Sequence, residues 1–491
     1  MANFEWGLFT LANFTVPKAF GTGSEGPDQL ALGSVLTAVA NGQALIGTTL
    51  VDQFSTGGFT AVAITGNGEN DVITVTAGSL GTTVTDLTTG DQFNVTDVLN
   101  STTGAASGLA ATTTGFTASA STSNTTGGNA VVNTSASVVL AAAAAGATID
   151  MSLAGGNLGY TLTGGAGNDT LVGSRFADII NGTAGTNTIT GGPGADTLTG
   201  GAAVDTFVYN GNGDVAPGET VTGGGGADIL SVTASTTFTG VTFAAVPVVN
   251  LSSGVTATFT DAQITAGAFT TVNGVAAGAT ETAVINVASG ATLSIAGAAA
   301  TNVTLVMNGA DGNESLTGDA DGPTTINGNA GNDTLVGGTA ADTLSGGDGA
   351  DTFTIGATDS LNTALDTISD YTAGTDKLGL AVTPAGTFGT AAAGAAGASV
   401  AADVAATGTT SGTLATDIAT AVAAQIVAGA GFWDWAGDTI IVKLTGASVA
   451  GTNVTYVVQN QVNDTTYDAA ADTVVALIGT STGPAALTDF V

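Results

Sequence analysis

The sequence predicts an all-β chain: a parallel β-solenoid with flanking β-rich N- and C-terminal domains. Three observations predict it. Glycine occurs 75 times in 491 residues and aromatic residues make up only 5%, so any core rests mainly on Val, Leu, Ile and Ala. Small and β-branched side chains punctuated by Gly suit short strands and tight turns, not long helices. A nine-residue unit recurs in two blocks, and repetition at a fixed period marks a stacked architecture. Finally, four basic residues (Lys18, Arg175, Lys377, Lys443) face 39 acidic ones, a formal charge of −35. Lys and Arg are too few to neutralise carboxylates wherever these cluster, so a hard divalent cation is the natural counter-ion.

Residues 1–150 read as an N-terminal β-rich or mixed region, a candidate for cell-surface anchoring or assembly. Within it, residues 29–39 and 44–51 are candidates for short helices, each interrupted by Gly, and residues 101–128 read as a loop or edge. One isolated unit, GNGENDVIT, contains Asp71.

The first repeat block occupies residues 151–235. From Gly164 it reads GGAGNDTLV, GSRFADIIN, GTAGTNTIT, GGPGADTLT and GGAAVDTFV, with Asp169, Asp178, Asn187, Asp196 and Asp205 at the sixth positions. After a spacer, GGGGADILS opens at Gly223 and puts Asp228 in the same context. The second block, residues 308–356, reads GADGNESLT, a ten-residue unit containing Pro323, then GNAGNDTLV, GGTAADTLS and GGDGADTFT. Its sixth positions are Glu314, Asp333, Asp342 and Asp351.

Each unit is legible physically. Glycines at the first, second and fourth positions permit φ > 0 and leave carbonyls uncovered. The Asp offers a hard anionic oxygen, and the large apolar residue two positions later points inward from a short strand. A six-residue loop plus a three-residue strand makes half a coil. Loops on one side then stack two units apart, pairing Asp169 with Asn187 and Asp205, and Asp178 with Asp196. Calcium takes six to eight oxygen ligands, which stacked carbonyls and carboxylates can supply.

The units resemble the RTX nonapeptide repeat, GGxGxDxUx with U large and apolar. The resemblance covers residues 164–231 and 309–354. It implies a calcium-binding parallel β-roll holding several Ca2+ ions. The sixth-position side chains and Asp311 would be ligands, joined by carbonyls of Gly164, Gly167, Gly182, Gly191, Gly194 and Gly223 in the first block. Gly328, Gly331, Gly337 and Gly346 would serve in the second. Two departures stand out: GSRFADIIN lacks two glycines and places Arg175 beside its metal, and Asn187 should weaken its site. The ten-residue unit, 318–327, predicts an irregular coil.

Between the blocks, residues 236–307 carry short strands in which an apolar residue precedes Asn250, Asn273 or Asn286, with Asn308 just beyond. They read as metal-poor solenoid coils that extend the roll into one rod from about Leu158 to Ile355, the alternative being a small β-sandwich. Residues 357–491 read as a C-terminal β domain. Its start, DTISDYTAGTDKLGL, resembles the strand–turn–strand element that follows the repeats in RTX proteins. Residues 391–427 hold a candidate helix in their second half. Trp433 and Trp435 are candidates for a sugar- or partner-binding feature, or for a small core's cap. The terminal LTDFV resembles an uncleaved type I secretion signal, and residues 1–14 lack the pattern of a cleaved signal peptide.

Composition also excludes functions. With no His and no Cys, disulfides, the usual zinc sites, imidazole bases and Ser-His-Asp triads are impossible. The charge repels phosphate backbones, and no apolar run is long enough to insert into a membrane. Nucleic acid and membrane are therefore not expected as partners, and no enzyme activity is expected. Three classes remain: a self-assembling surface protein resembling Gram-negative S-layer subunits, a secreted adhesin or matrix protein, and a carboxylate-based enzyme. The first is expected, secreted by the type I route to the cell surface. Its partners would be copies of itself and cell-surface polysaccharide.

Overall fold

The computed structural model describes residues 148–380 almost continuously, leaving out 268, 276–280, 298, 357–358 and 362–363. Before 148 it describes 35–40, 42–47, 52–55, 57, 62–65, 71–76, 82–87, 92–96, 109–113, 115–117, 123–124 and 130–134; after 380, 399–405, 439–445, 454–459 and 472–478. The Trp433/Trp435 pair, the second half of 391–427 and the LTDFV terminus lie outside these residues.

Apart from a seven-residue helix, Asp261–Gly267, and one short 3-10 turn, the described elements are strands. Thr170–Val172 pairs with Thr188–Thr190, and Thr188 then pairs with Thr206, all parallel. The alternate units, Ile179–Thr183 and Thr197–Gly201, pair on the opposite sheet. Two nonapeptides thus complete a coil. The apolar residue of each unit enters the core: Leu171, Ile189 and Phe207 stack on one sheet against Ile180 and Leu198 on the other, all essentially fully buried. Each such side chain stabilises the coil by roughly 1.5–3 kcal/mol.

The solenoid runs well beyond the expected limits. Sheets of six, ten, nine, eleven and five strands overlap in a staggered series, each handing over to the next along the axis. The first two begin at Val35–Thr37 and Ala44–Ile46, the candidate helices of the sequence reading. These segments are strands because Gln53–Ser55 and Ala63–Thr65 present backbone edges for parallel pairing. A Gly-broken segment gains more from a ladder than from a frayed helical turn. Within residues 101–128, expected as loop or edge, Leu109–Thr113, Gly115–Thr117 and Ser123–Asn124 join the sheets.

Between the repeat blocks the coil continues rather than giving way to a sandwich. Extra strands enter it: Ile229–Val232 leads to Thr236–Thr237 and Thr242–Ala244 before Val248–Leu251 returns to the first sheet. The widened interior is filled by aromatic rings. Phe238 stacks on Phe259 with ring centroids 5.0 Å apart, and Tyr209, Phe243 and Phe269 pack around them. At Thr242–Ala244 the ten-stranded sheet ends. The helix Asp261–Gly267 packs there, and the Gln263 amide donates to the carbonyls of Phe238 and Val241. Thr260 and Gln263 form a capping box: Thr260 N–H donates to Gln263 Oε1 (2.9 Å) and Gln263 N–H to Thr260 Oγ1 (3.3 Å).

The Asn residues that end these strands stack as ladders. Asn273 donates to Asn250 (3.0 Å), Asn308 to Asn286 (3.3 Å) and Asn327 to Asn308 (2.8 Å). At the C-terminal end, Asp366–Ile368 and Lys377–Leu380 form the expected strands, with Gly374 at φ 82 in the turn between them. Thr439–Thr445 and Val454–Gln459 are also strands. Together with Ser399–Ala405 and Thr473–Ile478 they extend one solenoid sheet, Thr473–Ile478 pairing with Asp366–Ile368. Among the described residues no helix is long and apolar enough to cross a membrane.

Candidate metal sites

The sixth-position acids form columns along the edges of the solenoid. On one sheet, Asp169 N–H donates to Asn187 Oδ1 (2.9 Å), Asn187 N–H to Asp205 Oδ1 (2.7 Å), and Asp205 N–H to Asp228 Oδ1 (2.8 Å). On the facing sheet, Asp178 N–H donates to Asp196 Oδ1 (2.7 Å). In the second block Glu314 donates to Asp333 and Asp333 to Asp351, at 2.7 and 2.9 Å, while Asp342 Oδ1 accepts from Thr324 N–H at 2.6 Å. Thr324 thus takes the column position in the ten-residue unit. Each strand begins directly after its acid, so the strand register itself fixes the column.

One carboxylate oxygen is therefore used by the backbone, and the fate of the other divides the units in two. The outer oxygens of Asp196, Asp205, Asp228, Glu314, Asp333, Asp342 and Asp351 are buried with no hydrogen-bond partner. Such orphans cost several kcal/mol unless a proton or a cation joins them. Burial accordingly pushes Asp196 up to about 8, with Asp178, Glu219 and Asp214 adding repulsion. Asp342 is raised to about 7 and Asp351 to about 6 by burial and neighbouring carboxylates. Asp205, Asp228 and Asp333 are raised for the same first cause.

The first three units of the first block differ. Asp169 Oδ2 accepts from Gly165 N–H (2.8 Å). Asp178 Oδ2 accepts from the Ser174 N–H (2.6 Å), with the Ser174 hydroxyl within reach of both carboxylate oxygens. Ser174 stands where most units have their second Gly. Arg175 is exposed, with its guanidinium over the Phe176 ring. Asn187 turns its amide to Asp205 Oδ1 (2.9 Å) and the Gly185 carbonyl (3.1 Å). The Thr183 hydroxyl lies 2.6–2.8 Å from the carbonyls of Gly164, Gly165 and Gly182. In these units hydroxyl and amide groups occupy the space between loops.

The loop glycines have two separate roles, where the sequence suggested one. Many second- and fourth-position glycines adopt positive φ, as in Gly192 (86°), Gly194 (140°), Gly331 (129°) and Gly349 (156°). Even Thr183 and Asn329, at second positions, are forced there, at 68° and 76°. First-position glycines do not need positive φ; they need space. A Cβ on Gly191 would lie 2.3 Å from Asp196 Oδ2, and one on Gly346 2.2 Å from Asp351 Oδ2. On Gly164, Gly200, Gly223 and Gly328 it would also meet the carbonyl stacked one coil on, at 2.0–2.6 Å. That cradle, between an orphaned carboxylate oxygen and a bare carbonyl, suits a hard cation of calcium's size. No three acidic side chains converge among the described residues, so main-chain carbonyls must complete any coordination shell.

The carbonyls of Gly167 and Gly182 lie between stacked loops: a Cβ on Gly185 would meet the Gly167 carbonyl and one on Gly164 the Gly182 carbonyl. Gly337 faces Asp342 Oδ2. Asp311 stands apart from the columns: it is exposed, its carbonyl accepts from the Ser289 hydroxyl, and its backbone bridges Ala330.

Three further acids in the columns escaped the sequence reading as ligands. Thr197 pairs with Thr220, so Glu219 continues the Asp178–Asp196 column; it is fully buried, takes a hydrogen bond from the Tyr209 hydroxyl, and is raised to about 7 by burial. Asp366 accepts from Asp342 N–H (3.0 Å), keeps its other oxygen orphaned, and is raised to about 8 by burial. Asp376 closes the remaining column, accepting from Asp351 (3.1 Å) and Thr372 (2.6 Å). For two of them the signal was an acid followed by Thr and an apolar residue, Glu219-Thr-Val and Asp366-Thr-Ile. Asp370 instead seals the last loop, accepting from Ser345 Oγ and the N–H groups of Gly346 and Gly347 at 2.6–3.0 Å.

A family model of the RTX calcium-binding nonapeptide repeat matches four times, over residues 161–180, 172–207, 181–216 and 320–353. The units at 223–231 and 309–317 lie outside these matches. No curated protein matches the chain.

Proposed function

We propose that this chain, which carries RTX calcium-binding nonapeptide repeats, is a secreted structural protein that folds on calcium and self-assembles at the cell surface as a lattice or filament. One observation carries the reading: the columns of buried carboxylate oxygens with no partner. In calcium-poor surroundings these repel one another and disfavour the rolls; outside the cell the ion binds the folded state and adds its binding free energy to folding. An unfolded, acidic chain suits passage through the narrow type I exporter.

The ions would be held by Asp196, Asp205, Asp228, Glu314, Asp333, Asp342 and Asp351 with carbonyls of the stacked loop glycines, and by Glu219 and Asp366 in the same columns. Asp169, Asp178 and Asn187 would bind weakly, their outer atoms being hydrogen-bonded already. Assembly is favoured over catalysis by the long staggered sheets and by the placement of the buried, unpartnered carboxylates along the coil edges. Negative-stain microscopy of the purified chain, with calcium and with EGTA, tests this. Sheets or filaments forming only with calcium are expected; monodisperse particles under both conditions would overturn assembly while leaving calcium-dependent folding to be judged separately.

A further inference from the structure

We infer that Glu281, together with the Asn302 carbonyl beside Gly274, forms a calcium site in coils that contain no nonapeptide. The Glu281 side chain is 0% exposed. Its Oε1 receives only a long bond from Val275 N–H (3.4 Å), and its Oε2 has no partner. Lys18, Arg175, Lys377 and Lys443 all lie outside this segment of the sequence, and no cation among the described side chains pairs with it. A carboxylate left this way is destabilising unless a proton or a metal joins it.

The surroundings repeat the cradle of the nonapeptide loops. Glu281 directly precedes the strand Thr282–Asn286, as Asp333 precedes Thr334–Val336. Gly274 N–H donates to Thr301 O at 2.8 Å, which seats Gly274 on Asn302 just as Gly328, donating to Ser345 O at 2.8 Å, is seated on Gly346. A Cβ on Gly274 would lie 2.2 Å from the Asn302 carbonyl oxygen and 3.3 Å from Glu281 Cδ. At Gly328 it would lie 2.6 Å from the Gly346 carbonyl oxygen and 2.4 Å from Asp333 Oδ2. Asn302 itself holds a φ of 57°, a conformation that costs energy outside Gly. Carboxylate and carbonyl oxygens with no nitrogen or sulfur donor select a hard cation, and calcium tolerates the irregular geometry best.

The test uses the full chain and Ca2+ as the probe. Glu281→Gln should bind one calcium ion fewer per chain by equilibrium dialysis. It should also lose the calcium-induced hydrogen-exchange protection of Thr271–Asn273 and Thr282–Asn286, while Thr334–Val336 and Thr352–Ile355 keep theirs. Asp333→Asn should do the reverse, so failure at Glu281 is distinguishable from failure of the repeat sites. Glu281→Asp, which keeps the charge on a shorter arm, should keep the ion count with weaker binding. An unchanged count and unchanged protection in Glu281→Gln would overturn the site. So would a gain in melting temperature that is equal in calcium and in EGTA, which would identify a buried neutral carboxyl. Should Glu281→Gln not fold, a Glu281→Asp chain matching wild type in both affinity and protection would also overturn it.

Discussion

The repeat rolls and the coils between Val232 and Asn308 solve one problem with different side chains. Both wind a ribbon whose outward loops must stack at strand spacing, about 4.8 Å. In the rolls, thin two-strand coils bury single apolar rows, and their loops bring carboxylates into columns with orphaned oxygens. In the intervening coils, additional strands widen the interior, five aromatic rings fill it, and Asn ladders replace most of the acids. A thin coil leans on its edges, so an ion decides whether it forms. A thick coil leans on its core, so the hydrophobic effect carries most of it, the Glu281 loop apart.

The largest effect expected is calcium removal. Each site filled at 100 times its dissociation constant adds about 2.7 kcal/mol, so several sites exceed the stability of an ordinary domain. Hydrogen exchange in EGTA should strip protection from Thr334–Val336 and Thr352–Ile355 while Val248–Leu251 and Thr256–Thr260 retain it. Equal loss in both regions would erase the distinction. Next, Phe259→Ala should destabilise the intervening coils by about 3–5 kcal/mol, with or without calcium; a calcium-dependent effect would show that the aromatic core is not self-sufficient.

A smaller change is expected from acidity. Without metal, the column acids have folded-state values raised to between about 6 and about 8 where burial is strongest. A group raised on folding stabilises fully below its unfolded value, near 4, and loses that contribution as pH rises through the folded value. In EGTA the rolls should therefore melt at a higher temperature at pH 5 than at pH 8.5. In calcium the order should invert, because protons compete with the ion. The smallest effect is Ser174→Ala, which removes one hydroxyl from Asp178 and should cost about 1 kcal/mol equally in calcium and EGTA. A loss confined to calcium would mean that this unit holds an ion after all.

Much of the rolls was legible beforehand because each residue type repeats its own constraint. Asp196 and Asp333 are found by counting, and Leu171 or Phe353 by their place two residues later. Counting failed where loop length varied. Glu219 lies 23 residues after Asp196, yet the pairing of Thr197 with Thr220 returns it to the same column. Within the helices expected at 29–39 and 44–51, Val35–Thr37 and Ala44–Ile46 are strands for a related reason: local propensity is weak beside a waiting strand edge.

By itself, then, the sequence determined the coil period, the inward rows and the need for an external cation, since all three follow from residues a fixed number of bonds apart. Only the tertiary structure decided which carboxylates keep an orphaned oxygen, which are satisfied by Ser174 or an Asn amide, and that Glu281 joins a Gly274 cradle. Those outcomes depend on what a neighbouring coil places within about 3 Å, the reach of a hydrogen bond, and that neighbour is chosen by register across loops of unequal length.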